Sequence, residues 1–158
     1  MAQKKRQTIR VGDIFEVPLE DVDGHGYALL LYLYRHFKSV ALLACGKDQQ
    51  SLEQHGLDAA FSIQFVWTPS LRNGTWKLVG KTEVRQDFKP VVVSGFVEYV
   101  GDEKAGKVEK LGDLPLMGIG GYGFLVEHLA TMIYGQPQGV MDKRAVKNLE
   151  LLREQYAA

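Results

Sequence analysis

The sequence has a single cysteine, Cys45, among 158 residues, so an internal disulfide is excluded. Secreted domains of this size commonly carry several, and the count points to a reducing compartment; we expect the cytoplasm. Charge of one sign is also lacking. Nineteen Lys and Arg against nineteen Asp and Glu leave no net charge, which removes any global pull toward nucleic acid or an acidic membrane surface. Long apolar runs are missing too. The longest, Tyr27 to Tyr34, is far too short to cross a bilayer. The basic segment Met1 to Arg10 leads into Val11-Gly12-Asp13 rather than an apolar core, unlike a signal peptide. Internal repeats and low-complexity tracts are absent.

What remains is ordinary globular composition, 46% hydrophobic and 24% charged, enough to bury a core without a metal or disulfide staple. The chain reads as a single domain over residues 1–158: a polar, frayed tail over 1–8, a β-rich core over 9–100, a linker over 101–117 and a helical part over 118–158. Within the core, Phe15, Val17 and Leu19 alternate with Glu16 and Pro18, predicting a strand over Ile9 to Leu19 with one apolar face. Pro18 has no N–H to give a ladder, which favours an edge position or a strand end. Asp23-Gly24 signals a turn. Tyr27 to Tyr34 has no polar face and suits a strand covered on both sides. With Ser39 to Cys45 it predicts a hairpin.

Gly46 to Ala60 has room for a short helix, which Gly56 would weaken. Phe61 to Trp67 alternates cleanly, with Phe61, Ile63, Phe65 and Trp67 on one side and Ser62, Gln64 and Val66 on the other. Asn73-Gly74 offers the positive φ angles of a tight turn. Thr75 to Val84 resumes as strand with Trp76 and Leu78 on one face. Val91 to Val93 and Phe96 to Val100 follow, with Gly95 read as a bulge. Gly101 to Gly112 is charged and reads as flexible. Leu125, Leu129, Met132 and Ile133 then recur at helical spacing. Met141, Ala145, Leu149, Leu152 and Tyr156 form a second stripe after the N-cap candidate Asp142. The predicted fold class is α+β: an antiparallel β-rich sheet or small barrel-like core followed by two C-terminal helices.

Motifs for chemistry are scarce. Gly118-Ile119-Gly120-Gly121-Tyr122-Gly123 matches G-x-G-x-x-G, but it lacks the feeding strand, the following parallel strand and the acid that dinucleotide binding needs. We therefore expect no cofactor. His25, His36, His55 and His128 are too scattered for a structural zinc site, and no metal is expected. No nucleophile elbow, S-x-x-K motif or P-loop occurs. Cys45 ends an apolar strand, where a buried structural cysteine is the common case. The expectation is a binding protein and not an enzyme. The alternatives are a small hydrolase-like enzyme with a Cys/His site built from Cys45 and a distant histidine, or a nucleic-acid-binding small barrel, against which the neutral charge counts. The residues assigned to partner binding are the acids Glu16, Glu20, Asp21 and Asp23, which offer a face to a basic partner, with Tyr27 and Tyr122, since tyrosine is enriched in interfaces.

Val11-Gly12-Asp13-Ile14-Phe15-Glu16-Val17-Pro18-Leu19, a short acidic turn, Gly26-Tyr27 entering an apolar strand, and the later Gly74-Thr75-Trp76-Lys77-Leu78-Val79-Gly80 together resemble the immunity protein 26 family of bacterial polymorphic toxin systems. The resemblance covers roughly residues 10 to 100 by motif order. It implies a small β-rich protein that binds a cognate toxin domain and blocks it in the producing cell or its kin. Such a protein needs a stable scaffold and a complementary surface but no catalytic group or membrane.

Overall fold

The computed structural model describes residues 7–19, 24–34, 40–85, 91–94, 97–100, 103–107, 119–120, 133, 149–150, 152–154 and 156. Four strands in sequence form the centre: β1 (Asp13–Pro18), β2 (His25–Tyr34), β3 (Val40–Gly46) and β4 (Ser62–Trp67). Each is antiparallel to the next. β5 (Lys77–Lys81) returns to pair with β1, completing a five-stranded antiparallel sheet. A two-residue strand, β9 (Ile119–Gly120), adds parallel to β4 on the far side. The order is thus β5-β1-β2-β3-β4-β9, and β5 does not pair with β9, so the sheet is open among the described residues. β6 (Val91–Ser94), β7 (Val97–Val100) and β8 (Glu103–Lys107) form a separate three-stranded antiparallel sheet.

The apolar runs are buried on both sides of the large sheet. Ile14, Leu29, Leu31, Leu42, Ala44 and Ile63 join one cluster. Phe15, Val17, Ala28, Leu30, Leu43 and Val66 join the other. Alternate residues of one strand serve opposite clusters, as the two-residue period of a strand requires. Leu29 and Leu30 are each fully buried, and each contributes about 2 kcal/mol of transfer free energy. The β2–β3 register skips Leu31, pairing Leu30 with Leu43 and Tyr32 with Leu42. This bulge sets Leu31 and Tyr32 on the same side of the sheet.

The first cluster is covered by α1 (Gln49–His55) and the 3-10 helix Gly56–Ala59, through Leu52 and Leu57. Asp48 caps α1: its carboxylate accepts from the Ser51 backbone N–H and hydroxyl, both at 2.8 Å. Gly56 ends the helix at φ 55°, so the glycine expected to weaken the helix terminates it. Leu149 and Leu152, in helical conformation, pack on the same cluster. Arg153 pins them there, donating to the carbonyls of Leu57, Asp58 and Ala60 at 3.3, 3.1 and 2.6 Å. The second cluster is closed by Ile9, by Leu71 of α2 (Pro69–Arg72) and by Trp76.

Several expectations change. The first strand begins at Asp13, because Gly12 turns the chain at φ 99°. Pro18 takes the second of its two expected places, as the last residue of a strand that is interior to the sheet. The Asn73-Gly74 turn is preceded by the α2 turn, with Asn73 at φ −87° as its C-cap. Leu78 shares the face of Trp76 as expected, but Trp76 is fully buried and Leu78 is 37% exposed. Glu103–Lys107, read from its charge as linker, is strand β8. Gln7, placed in the frayed tail, is anchored by hydrogen bonds to Leu71, Trp76 and Leu78. Gly95 and the first C-terminal helical stripe, apart from the helical Ile133, lie outside the described residues.

Two positive-φ glycines separate backbone strain from steric conflict. A Cβ on Gly12 would collide with the Thr82 carbonyl oxygen, whereas one on Gly56 would meet nothing within 4 Å. Gly56→Ala is expected to cost about 1 kcal/mol, the left-handed penalty alone. Gly12→Ala should cost about 3 kcal/mol or more, because the Thr82 N–H to Gly12 carbonyl bond at 2.8 Å is also disturbed. Urea unfolding of the two variants measures the difference; equal losses would refute the steric assignment.

Candidate partner-binding surface

The β1–β2 register sets Glu16 opposite Tyr27. Ile14, two residues before Glu16, belongs to the first cluster, and Tyr27 packs against that cluster. Glu16 and Tyr27 therefore share the face that carries α1. Lys77 of β5 is the register partner of Glu16 on its other side. His25 lies one step further along β2 on the same face, with its Nε2 3.4 Å from Glu16 Oε1. Both groups are solvated, at 47% and 31% side-chain exposure, so this contact is worth little to stability. The row Lys77–Glu16–Tyr27 lies at the end of the sheet where β3 leads through Asp48 into α1.

Tyr27 is half-buried. Burial raises its phenol above the ordinary 10.0, and the nearby charges of Glu16 and Asp48 raise it further. The ring is thus held neutral, a hydrogen-bond donor set between carboxylates. Asp48 is held below the usual carboxylate range, mainly by its bonds from Ser51. It remains an anion wherever the helix is capped. Together these groups offer an aromatic body and a hydroxyl flanked by negative charge, a surface suited to a basic side chain of a partner.

Of the assigned residues, Glu16 and Tyr27 are brought together directly. Glu20, Asp21 and Asp23, which join β1 to β2 in the sequence, and Tyr122 lie outside the described residues. His25, Lys77 and Asp48 were not picked out from the sequence. The signal for His25 and Lys77 is the pairing register, and that for Asp48 is its position three residues ahead of Ser51 at a helix start.

The Cys/His alternative does not fit the described geometry. Cys45 is fully buried in the second cluster. Burial pushes its thiol up to about 12, against a smaller opposing effect of its hydrogen bond with Ser62. A nucleophile needs the thiolate. The sheet also stands between Cys45 and the exposed His25 and His55, which belong to the α1 side; His36 and His128 lie outside the described residues. Among the described residues no three His, Cys, Asp or Glu side chains are grouped to hold a metal, and no helix is long and apolar enough to cross a membrane. A cavity of about 230 Å³ lies at the other end of the α1 face, lined by Leu31, His55, Leu57, Asp58, Thr82 and Tyr156. Its Tyr156 is engaged, stacking under Arg85 at 4.8 Å and accepting from the Arg85 N–H at 3.2 Å.

Two solution measurements follow from these assignments. In ultraviolet titration the tyrosine lost on Tyr27→Phe should be one that ionises above 10.0, and Glu16→Gln should lower that midpoint. Because the folded value is raised, the associated stability is present below the unfolded tyrosine range and lost as pH rises through the folded value. A Tyr27 midpoint at or below 10.0 would remove the proposed environment. Cys45 should resist alkylation in the native protein and react only at the rate of unfolding; rapid labelling under native conditions would contradict its burial.

Compared with protein-family models, with curated proteins and with solved structures, the chain matches none.

Proposed function

We propose that this chain is an immunity protein, which binds a cognate bacterial toxin domain and neutralises it through protein–protein contact inside the cell that makes it. One observation carries the reading. The three sequence segments that resemble the immunity protein 26 family, Val11–Leu19, Gly26-Tyr27 and Gly74–Gly80, fall on β1, β2 and β5. These strands are adjacent in the order β5-β1-β2. Segments some fifty residues apart on the chain thus make one continuous surface, and that surface holds the Lys77–Glu16–Tyr27 row.

The chemistry of the row favours inhibition by contact. A neutralising partner needs a few anchors that are partly desolvated before binding, so that little ordering entropy is spent on association. Tyr27 meets this condition, packed against the core with its remaining surface open. Glu16 and Asp48 supply charge beside it, which steers a basic partner and sets its orientation. Cys45, the group a covalent mechanism would use, is sealed in the opposite face.

The toxin encoded by the neighbouring upstream gene is the test. Cells expressing it should survive when this chain is co-expressed. The double variant Glu16→Lys, Tyr27→Ala should lose that protection, with binding weakened about thirtyfold or more, the scale of two interface anchors. Killing that is equally efficient with the unsubstituted protein present would overturn the proposal. Full protection by a folded double variant would move the binding surface elsewhere.

A further inference from the structure

The outer edge of β5 is closed by side chains where a strand would otherwise lie. The Gln7 carboxamide donates from Nε2 to the Trp76 carbonyl at 3.0 Å and to the Leu71 carbonyl at 2.8 Å, and its Oε1 accepts from the Leu78 N–H at 3.2 Å. Trp76 C=O and Leu78 N–H flank Lys77, the residue paired with Glu16 of β1. In an extended chain these two groups point to the same side, so they are the pair that the next strand of the sheet would use. A second carboxamide, that of Gln49, donates to the Val79 carbonyl at 2.9 Å. Gln49 belongs to α1, so this second amide reaches the bulge residue of β5 from the face that carries α1.

We propose that the β5 edge is a strand-addition site for an extended, acidic segment of a partner protein, with Gln7 as its displaceable plug. Beside the main-chain bond from Trp76 N–H to the Ser70 carbonyl at 3.0 Å, Trp76 C=O and Leu78 N–H are satisfied by a side-chain amide, and such a pair is a seat for main-chain amides, which offer more bonds at once. The charge of the segment follows from its surroundings. Lys77 and Lys81 are exposed on β5 and Arg72 ends α2, while the Glu16 and Glu53 carboxylates approach β5 from β1 and from α1 and not from its outer side. The exposed Leu78 offers an apolar contact on the face it shares with Lys81, opposite that of Lys77.

A second copy of this chain fits the same edge poorly. Added antiparallel about Val79, it would set Lys77 beside the other copy's Lys81, and like charges directly opposite are unfavourable. The β1–β5 register also skips Val79, pairing Phe15 with Leu78 and Ile14 with Gly80. This bulge interrupts a long self-paired ladder. The inference holds whether or not the partner is a toxin.

The experiment uses the full chain labelled with nitrogen-15 and, as probe, a short capped peptide of alternating Glu and Val. The peptide should shift the Leu78 and Val79 amide resonances, and it should bind Gln7→Ala about tenfold more tightly than the unsubstituted protein, since the competing hydrogen bonds are gone. The same peptide with Lys for Glu, or with N-methylated valines, should bind at least about tenfold more weakly. Leu78→Pro, which removes the edge N–H and is tolerable on an edge strand, should abolish the shifts with Gln7 intact. Shifts centred elsewhere, shifts that survive Leu78→Pro, or equal affinity for the lysine peptide would overturn the proposal. Sedimentation should show Gln7→Ala as a monomer; a dimer would overturn the choice of partner in favour of a second copy.

Discussion

Leu29 and Leu30 are neighbours on the chain, lie on opposite sides of the sheet and are both fully buried. That double coverage constrains everything else. With β1 to β4 covered above and below, a group of these strands that meets another molecule sits at a strand end. The same constraint fixes register. A one-residue slip of β2 would exchange the two clusters wholesale, and the bulge that skips Leu31 holds its phase in place. Register in turn decides which side chains become neighbours, so the pairing of Glu16 with Tyr27 is a consequence of core burial.

The same burial disposes of the lone thiol. Cys45 ionises at about 12 because it is enclosed, and it is enclosed because it continues the alternation of Ala41 and Leu43 on β3. Its packing role keeps the thiol protonated and enclosed. Tyr27 is the opposite case. It lies at the end of β2 where cover by α1 runs out, packed on one side and open on the other. Asp48 serves two ends at once, capping α1 through Ser51 and adding charge near Tyr27.

The sequence made the central sheet legible because alternation and unbroken apolar runs are local signals. Tyr27 to Tyr34 reads as doubly covered from its letters alone, and its stretch Ala28 to Leu31 is buried on both sides. The polar letters of β4 mislead. Gln64 is 1% exposed, and its carboxamide has no hydrogen-bond partner among the described residues; the burial of that face depends on what packs over it, which no local pattern records. Glu103–Lys107 failed as a strand for a related reason. Its charges suit a solvated segment, and its pairing with β7 is a non-local fact. The acids after β1 and the tyrosine of β2 were legible as candidates, but their neighbour Lys77 was not, because β5 joins β1 from some sixty residues away.

Lys77 ties the two candidate surfaces together. Its flanking main-chain groups, Trp76 C=O and Leu78 N–H, form the edge that Gln7 covers. Its own position in the ladder is opposite Glu16, and Glu16 is opposite Tyr27. Adjacent strands lie about 5 Å apart, so a strand seated on β5 is only three strand spacings from Tyr27. That span is about 15 Å, well inside the footprint of an ordinary protein interface. The zero net charge hides an arrangement in which basic residues follow the edge and carboxylates flank the tyrosine. Lys77 and Glu16 are ladder neighbours, inside the roughly 8 Å over which exposed charges interact at physiological ionic strength, so a partner meets a pattern with a basic end at the edge and an acidic end at the tyrosine. A partner that presents acid to the edge and base to the tyrosine satisfies both, and one of uniform charge satisfies only one. Specificity on a neutral chain then rests on the order in which opposite charges meet the partner across three adjacent strands.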